Sequence, residues 1–267
     1  MPYGMAAFRA LWLQYPLLPS VALVLMACCV YLYFHGTNKR LDRFMVAVTL
    51  AVPAHILVTL GADQVAQVRP AKFDLYIYWF DKWIGFEPGF AMSRVVVSHL
   101  PLIVVLAVTY QLLPLAIVAI YGAYLWRRSD REAVSLAAVF ILNLALGVPL
   151  YFLFPVCGPA YAFSGFPAEP AGPIVPHPIL LNAPPNGMPS IHFSTALLIL
   201  WYSRKLPYGR WIGAAYLLLT AASTLSSGEH YILDLAAAVP YAIAVHALGT
   251  RLAAALPRPS RPVLKCG

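Results

Sequence analysis

Two short stretches decide how this chain is read: Asn186-Gly187-Met188-Pro189-Ser190-Ile191-His192 and, forty residues later, Gly228-Glu229-His230-Tyr231-Ile232-Leu233-Asp234. Each lies at the edge of a long apolar run, so the two would face each other across one layer of a membrane. Pro189 suits the first helical position, where its missing N–H is an orphan in any case, and the apolar run from Ile191 reads as the helix it starts. His192 then falls in the first turn. A helix start offers free backbone N–H groups and the positive end of the macrodipole, which together suit a phosphate or another anion. The Ser190 hydroxyl adds a donor. In the second stretch His230 and Asp234 are spaced i, i+4, so on a helix they share a face and the carboxylate can hold the imidazole in one tautomer. That is a base or nucleophile with its orienter.

Pro189-Ser190-Ile191-His192, followed by Ser223, His230 and Asp234 in the spacing Ser-x6-His-x3-Asp, resembles the type 2 phosphatidic acid phosphatase superfamily. The wording Gly-Met-Pro-Ser-Ile-His and Glu-His-Tyr-Ile-Leu-Asp is similar to the inositol phosphorylceramide synthase and sphingomyelin synthase branch. Two signature cations are replaced. Thr224 stands where the third signature has Arg, and of the first signature, K-x6-R-P, Arg69-Pro70 remains with Ala62 in place of the Lys. The resemblance implies a lipid phosphatase or phosphotransferase, with His230 as nucleophile, Asp234 as its orienter and His192 as the acid for the leaving oxygen. No cofactor and no metal are implied. Ser190, Arg69, Gly187 and Ser223 are the candidates for holding phosphate.

Composition places these motifs in a bilayer. Of 267 residues 61% are hydrophobic and 10% charged, against about 25% charged for a soluble domain. The expected fold is an all-α, polytopic transmembrane helix bundle with six core spans, or seven crossings in all, forming one domain over residues 1–267. The spans are placed at 17–34, 44–62, 100–126, 133–154, 190–204, 210–227 and 230–255, with a basic tail at 256–267. The first apolar run is followed by Lys39-Arg40-Leu41-Asp42-Arg43 rather than an Ala-x-Ala cleavage site, so it reads as an uncleaved anchor. Cys28, Cys29, Cys157 and Cys266 have no evident pairing and read as free thiols.

The net charge of +8 could suggest nucleic acid, but the Lys and Arg residues fall in short inter-helix loops and in the tail. Every short basic loop falls on one side, which the positive-inside rule assigns to the cytoplasm. The loop from 155 to 189 has no Lys or Arg and falls on the other side with His192 and His230. The expectation is a multi-pass protein of a bacterial inner membrane with its active face periplasmic. Residues 73–83, Phe-Asp-Leu-Tyr-Ile-Tyr-Trp-Phe-Asp-Lys-Trp, read as an interfacial helix with rings at headgroup level. The Pro-rich loop 155–189 reads as a lid or headgroup wall. A helix of about 15 residues from Ser190 spans roughly 22 Å against a hydrocarbon core of roughly 30 Å, so its start lies beneath the membrane surface.

Phosphoryl transfer needs a nucleophile, an acid and groups to hold the equatorial oxygens. The expected substrate is a lipid phosphate or phospholipid, with a lipid alcohol as a further candidate acceptor. Simple hydrolysis of a phosphatidate or polyprenyl phosphate is the alternative. A metalloenzyme using His230, Asp234 and His192 as ligands, a proton-coupled transporter and an intramembrane serine protease using Ser190 compete with these readings. Three ionisable groups meeting at one membrane depth favour a functional site over packed polar residues.

Overall fold

A computed structural model describes residues 39–85, 87–185 and 187–255. The candidate span 17–34, Asn186 and the basic tail 256–267 lie outside the described residues, as do Cys28, Cys29 and Cys266. The described chain is mostly helical: α1 (Lys39–Val68), α2 (Asp74–Trp83), α3 (Pro88–Val97), α4 (Leu100–Gln111), α5 (Leu113–Arg127), α6 (Asp130–Ala145), α7 (Gly147–Leu153), α8 (Pro159–Ala162), α9 (Ile191–Ser203), α10 (Gly209–Ser226) and α11 (Ile232–Ala255). Two short strands, β1 (Ala71–Lys72) and β2 (Ile179–Leu180), pair antiparallel and tie the Pro-rich loop to the segment after α1.

Among the described residues two helical stretches, Asp130–Leu153 and Ile232–Ala255, are long and apolar enough to cross a membrane. Leu100–Gln111 and Leu113–Arg127 make a third if the bent pair is one span. The stretch expected as a span at 100–126 is bent: α4 and α5 meet at Leu112 at 55°. Pro114, in the first turn of α5, supplies no N–H, and its ring excludes the preceding carbonyl from a straight helix. α6 opens earlier than residue 133, because Ser129 and Glu132 form a reciprocal capping box at its start. α9 is an apolar helix of 13 residues. At about 1.5 Å per residue it is roughly 20 Å long, short of the roughly 30 Å core.

α9 is the central element and packs against α5, α6, α10 and α11. Tyr124, Leu136, Val139, Phe140, Leu198 and Val245 belong to the apolar core around it. A polar knot crosses this core. The fully buried Asn143 of α6 donates from Nδ2 to Thr195 Oγ1 and accepts the Ser194 hydroxyl, both at 2.8 Å. Its backbone carbonyl accepts the Tyr241 hydroxyl at 2.6 Å. Such interhelical bonds fix the register of helices that lipid would otherwise solvate equally well.

The basic loops gather at the end of α9 away from Ser190. Arg43 pairs with Asp130 at 2.6 Å, Arg128 with Glu132 at 2.7 Å and Lys205 with Glu132 at 3.8 Å, so the start of α1, the α5–α6 turn and the α9–α10 turn share one end of the bundle.

At the opposite end, α2 inverts the arrangement expected of an amphipathic helix. Its exposed face is aromatic, with Tyr76, Trp79 and Trp83 at 42%, 48% and 71% exposure, while Asp74 and Asp81 point inward and are buried. Asp74 accepts the Gly158 N–H at 2.8 Å, the Cys157 N–H at 3.1 Å and the Tyr231 hydroxyl at 3.3 Å. It thereby pins the start of the Pro-rich loop. Cys157 is fully buried there with its thiol on the Ala183 carbonyl, and burial pushes that thiol's pKa up. Gly158, at φ 106°, lies so close to the turn below that a Cβ would stand 2.4 Å from the Glu229 carbonyl oxygen. Only glycine permits both that backbone conformation and that approach.

Burial drives the Asp74 and Asp81 carboxyls from 3.8 up to about 7, against the opposing pull of the backbone N–H donors. The folded protein therefore holds these protons where the unfolded chain has lost them. The associated stability is complete below 3.8 and is lost as pH rises through about 7. We expect the thermal midpoint of the purified protein in a fixed detergent to fall between about pH 5 and about pH 8, with a shallower fall in Asp74→Asn. A midpoint that climbs over this range would contradict the assignment.

Candidate active site

The two motifs meet as two helix starts. Ser190, at φ −66° and ψ 108°, is the N-cap of α9, and its Oγ accepts the Phe193 N–H at 3.3 Å. Pro189 thus precedes the cap instead of occupying the first helical position, because a serine oxygen can satisfy a first-turn donor and a proline ring cannot. His192 remains in the first turn. Ser190 N–H in turn donates to the Asp234 backbone carbonyl at 3.2 Å, which ties the start of α9 to the first turn of α11.

Side chains repeat that junction. Ser190 Oγ lies 3.0 Å from His230 Nε2, and Asp234 Oδ2 lies 3.5 Å from His230 Nδ1. All three residues are fully buried. The same Asp234 oxygen accepts the Tyr231 N–H at 2.8 Å, so the carboxylate caps α11 and faces the imidazole at once. With Asp234 on the Nδ1 side, that nitrogen is the natural place for the proton, leaving the Nε2 lone pair toward Ser190. At 3.5 Å the Asp–His pair is longer than a good hydrogen bond, a separation that catalytic pairs often show before substrate tightens them.

His192 is two residues beyond Ser190, and its ring stacks on Tyr110 of α4, centroid to centroid 3.9 Å and 19° between planes. Tyr110 lies just before the bend at Leu112, so the broken helix delivers the ring that His192 rests on. Arg69 directs its guanidinium to the Phe152 ring, 5.1 Å from the centroid. Gly187 donates its N–H to the Val156 carbonyl at 2.8 Å, and Ser223 donates its hydroxyl to the Leu106 carbonyl at 2.8 Å. Ser190, His230 and Asp234 are thus brought into direct contact. Ala62, standing at the lysine position of the first signature, packs with Tyr151 against Ile191, the first residue of α9. Thr224 turns its hydroxyl back to the Ala221 carbonyl of its own helix.

Sequence reasoning missed Asp81 and Asp74. Asp81 Oδ2 accepts the Ile232 N–H at 3.1 Å, a second carboxylate at the start of α11. The available signal was their spacing: seven residues apart, they share one face of α2, and charges on an aromatic interfacial helix need not face water.

The arrangement offers a nucleophilic nitrogen or oxygen, a carboxylate to orient the imidazole, a second histidine nearby and the N-terminus of a helix. It suits attack on an anionic, tetrahedral centre. Neither a search of curated proteins nor one of solved structures yields a match. A model of the PAP2 superfamily matches residues 75–248, a segment that runs from α2 into α11 and includes Ser190, His192, His230 and Asp234. The chain belongs to the PAP2 superfamily, a family that acts on lipid phosphates, and its apolar helices fit a membrane enzyme of the phosphatase type.

Proposed function

We propose that the protein is a membrane-embedded lipid phosphotransferase or phosphatase that works through a phosphohistidine at His230. The observation that carries this reading is the alignment of Ser190 Oγ, His230 and Asp234 at the buried meeting point of two helix starts. The Nε2 lone pair attacks phosphorus while Asp234 retains the Nδ1 proton. His192 gives a proton to the departing alcohol oxygen. A second alcohol or water then attacks the phosphohistidine, loses its proton to His192 and frees Nε2. Ser190 and the first-turn N–H groups of α9 steady the equatorial oxygens, with Arg69 completing the clamp as substrate arrives. Apolar packing at Ala62 and the self-satisfied Thr224 leave backbone and hydroxyl donors a larger share of that task.

The same geometry favours one second reading. Ser190, His230 and Asp234 are ordered as a hydroxyl nucleophile, its base and its orienter. Trapping the phosphorylated enzyme separates the two, since phosphohistidine is labile to acid and phosphoserine survives it. We expect acid-labile label on His230, its loss in His230→Ala and its retention in Ser190→Ala. Turnover of His230→Ala and His192→Ala should fall by about 10³-fold or more, with Asp234→Asn less affected because orientation and not the nucleophile is lost. An acid-stable label on Ser190 would replace the first mechanism by the second.

Transfer to a lipid alcohol is the proposed physiological reaction, akin to the inositol phosphorylceramide and sphingomyelin synthases. It is supported by the burial of His230 under a Pro-rich segment and by the shortness of α9, which together keep bulk water from the phosphohistidine. Purified enzyme offered lipid phosphates and phospholipid donors should form phosphorylated acceptor lipid when an acceptor is supplied. Release of phosphate at one rate with or without acceptor, and no new lipid product, would identify a phosphatase.

We place the site on the extracytoplasmic side of a bacterial inner membrane, with six or seven crossings, because the basic loops share the other end of the bundle. In a background stripped of native cysteines, Val175→Cys should react with an impermeant thiol reagent in intact cells and Arg131→Cys should not. The reverse pattern would invert the orientation.

A further inference from the structure

We infer that the interfacial helix α2 is a positioning element for His230, acting through Asp81 and Asp74, an assignment that rests on the role given to His230 above. The two carboxylates lie two helical turns apart on one face, and they reach the chain on both sides of the histidine. Asp81 Oδ2 takes the N–H of Ile232 at 3.1 Å, two residues after it. Asp74 takes the hydroxyl of Tyr231 at 3.3 Å, one residue after it. On the other side the hold is relayed. Asp74 fixes the N–H groups of Cys157 and Gly158, and this segment in turn lies on the turn before His230, where Ala160 N–H donates to the Gly228 carbonyl at 3.0 Å.

Four features make these bonds more than general adhesion. Asp81 is 3% exposed and Asp74 fully buried, so no water competes for the donors. The groups they hold are the orphan N–H groups and ring flanking a residue whose Nε2 must meet Ser190 within hydrogen-bond reach. Asp234, the orienter of the imidazole, caps the adjacent Tyr231 N–H, so Asp81 and Asp234 divide the start of α11 between them. The far face of α2, bearing Tyr76, Trp79 and Trp83, is the exposed aromatic one, which settles at the headgroup layer. The depth of the membrane surface is in this way transmitted to the depth of the imidazole.

A misplacement of about 1 Å at a reacting group can cost on the order of 100-fold in rate. Asp81→Ala removes the acceptor. Asp81→Asn keeps a carbonyl oxygen in its place. Tyr231→Phe keeps the ring and loses only the hydroxyl that Asp74 holds. Full-length enzyme is assayed in mixed micelles with phosphatidate as probe, kinetics are normalised to folded protein, and His230 is followed by ¹⁵N-histidine NMR. We expect Asp81→Ala to lower kcat by about 10- to 100-fold with KM unchanged within about twofold. Asp81→Asn should restore most of that loss, and Tyr231→Phe should lower kcat several-fold. The His230 ring-nitrogen signals should move in Asp81→Ala and stay in Asp81→Asn. A merely structural role would lower the yield of folded protein and leave kcat per folded molecule and the ring signals unchanged, and that result would overturn the inference. Should Asp81→Ala not fold, Tyr231→Phe with wild-type kcat and unshifted His230 signals overturns it equally. The two proposals fail separately: an active His230→Ala enzyme removes the catalytic reading, whereas an inactive His230→Ala beside a fully active Asp81→Ala removes only this one.

Discussion

Two helices begin at the same buried point, and each brings backbone N–H groups that its own turns cannot satisfy. In an apolar setting every such group needs an acceptor or costs free energy. The chain supplies acceptors from four places: Ser190 Oγ for Phe193, the Asp234 carbonyl for Ser190, the Asp234 carboxylate for Tyr231 and Asp81 for Ile232. Much of the remaining architecture follows from this requirement. The acceptors that cap the helices also orient His230, so satisfying the backbone and assembling the candidate site are one operation.

The helices around the site are themselves interrupted, beside prolines. α4 and α5 bend at Leu112 beside a proline, and α6 gives way to α7 at Leu146 with Pro149 in the first turn beyond. Non-helical backbone in an apolar setting is tolerated where protein surrounds it. Tyr110, just before the first bend, lies flat against His192. About one helical turn along α9 from Ser190, the Asn143 knot holds α6, α9 and α11 in register.

Charge is sorted to match. Three ion pairs, Arg43–Asp130, Arg128–Glu132 and Lys205–Glu132, stand at the end of α9 remote from Ser190, whereas Arg94–Glu169 and Lys82–Glu87 lie among α2, α3 and the Pro-rich loop; such exposed pairs are individually weak. Buried carboxylates, Asp74, Asp81 and Asp234, cluster at the other end and bind backbone N–H groups. Asp234 and Asp81 accept N–H groups at the start of α11 and Asp74 accepts those of Cys157 and Gly158, while burial favours the protonated form of Asp74 and Asp81, which is how three acids coexist around one histidine.

The sequence by itself determined the helical class, helices within 133–154, 190–204 and 210–227, and the spacing that pairs His230 with Asp234, because hydrophobic runs and i, i+4 spacing are local properties. It also located the start of α9 to within two residues, because a proline there resembles a first helical residue as much as the one before a cap. The bend at Leu112 was hidden because a proline in a long apolar run is compatible with either a kink or a new start. Only the tertiary structure decided that Ser190 meets His230, that Gly187 and Ser223 direct their donors to Val156 and Leu106, and that Cys157 is sealed in. The inward face of α2 was equally out of reach. Whether Asp74 and Asp81 face water or the backbone of a distant loop depends on donors 83 and 151 residues away, and no local pattern records where those will lie.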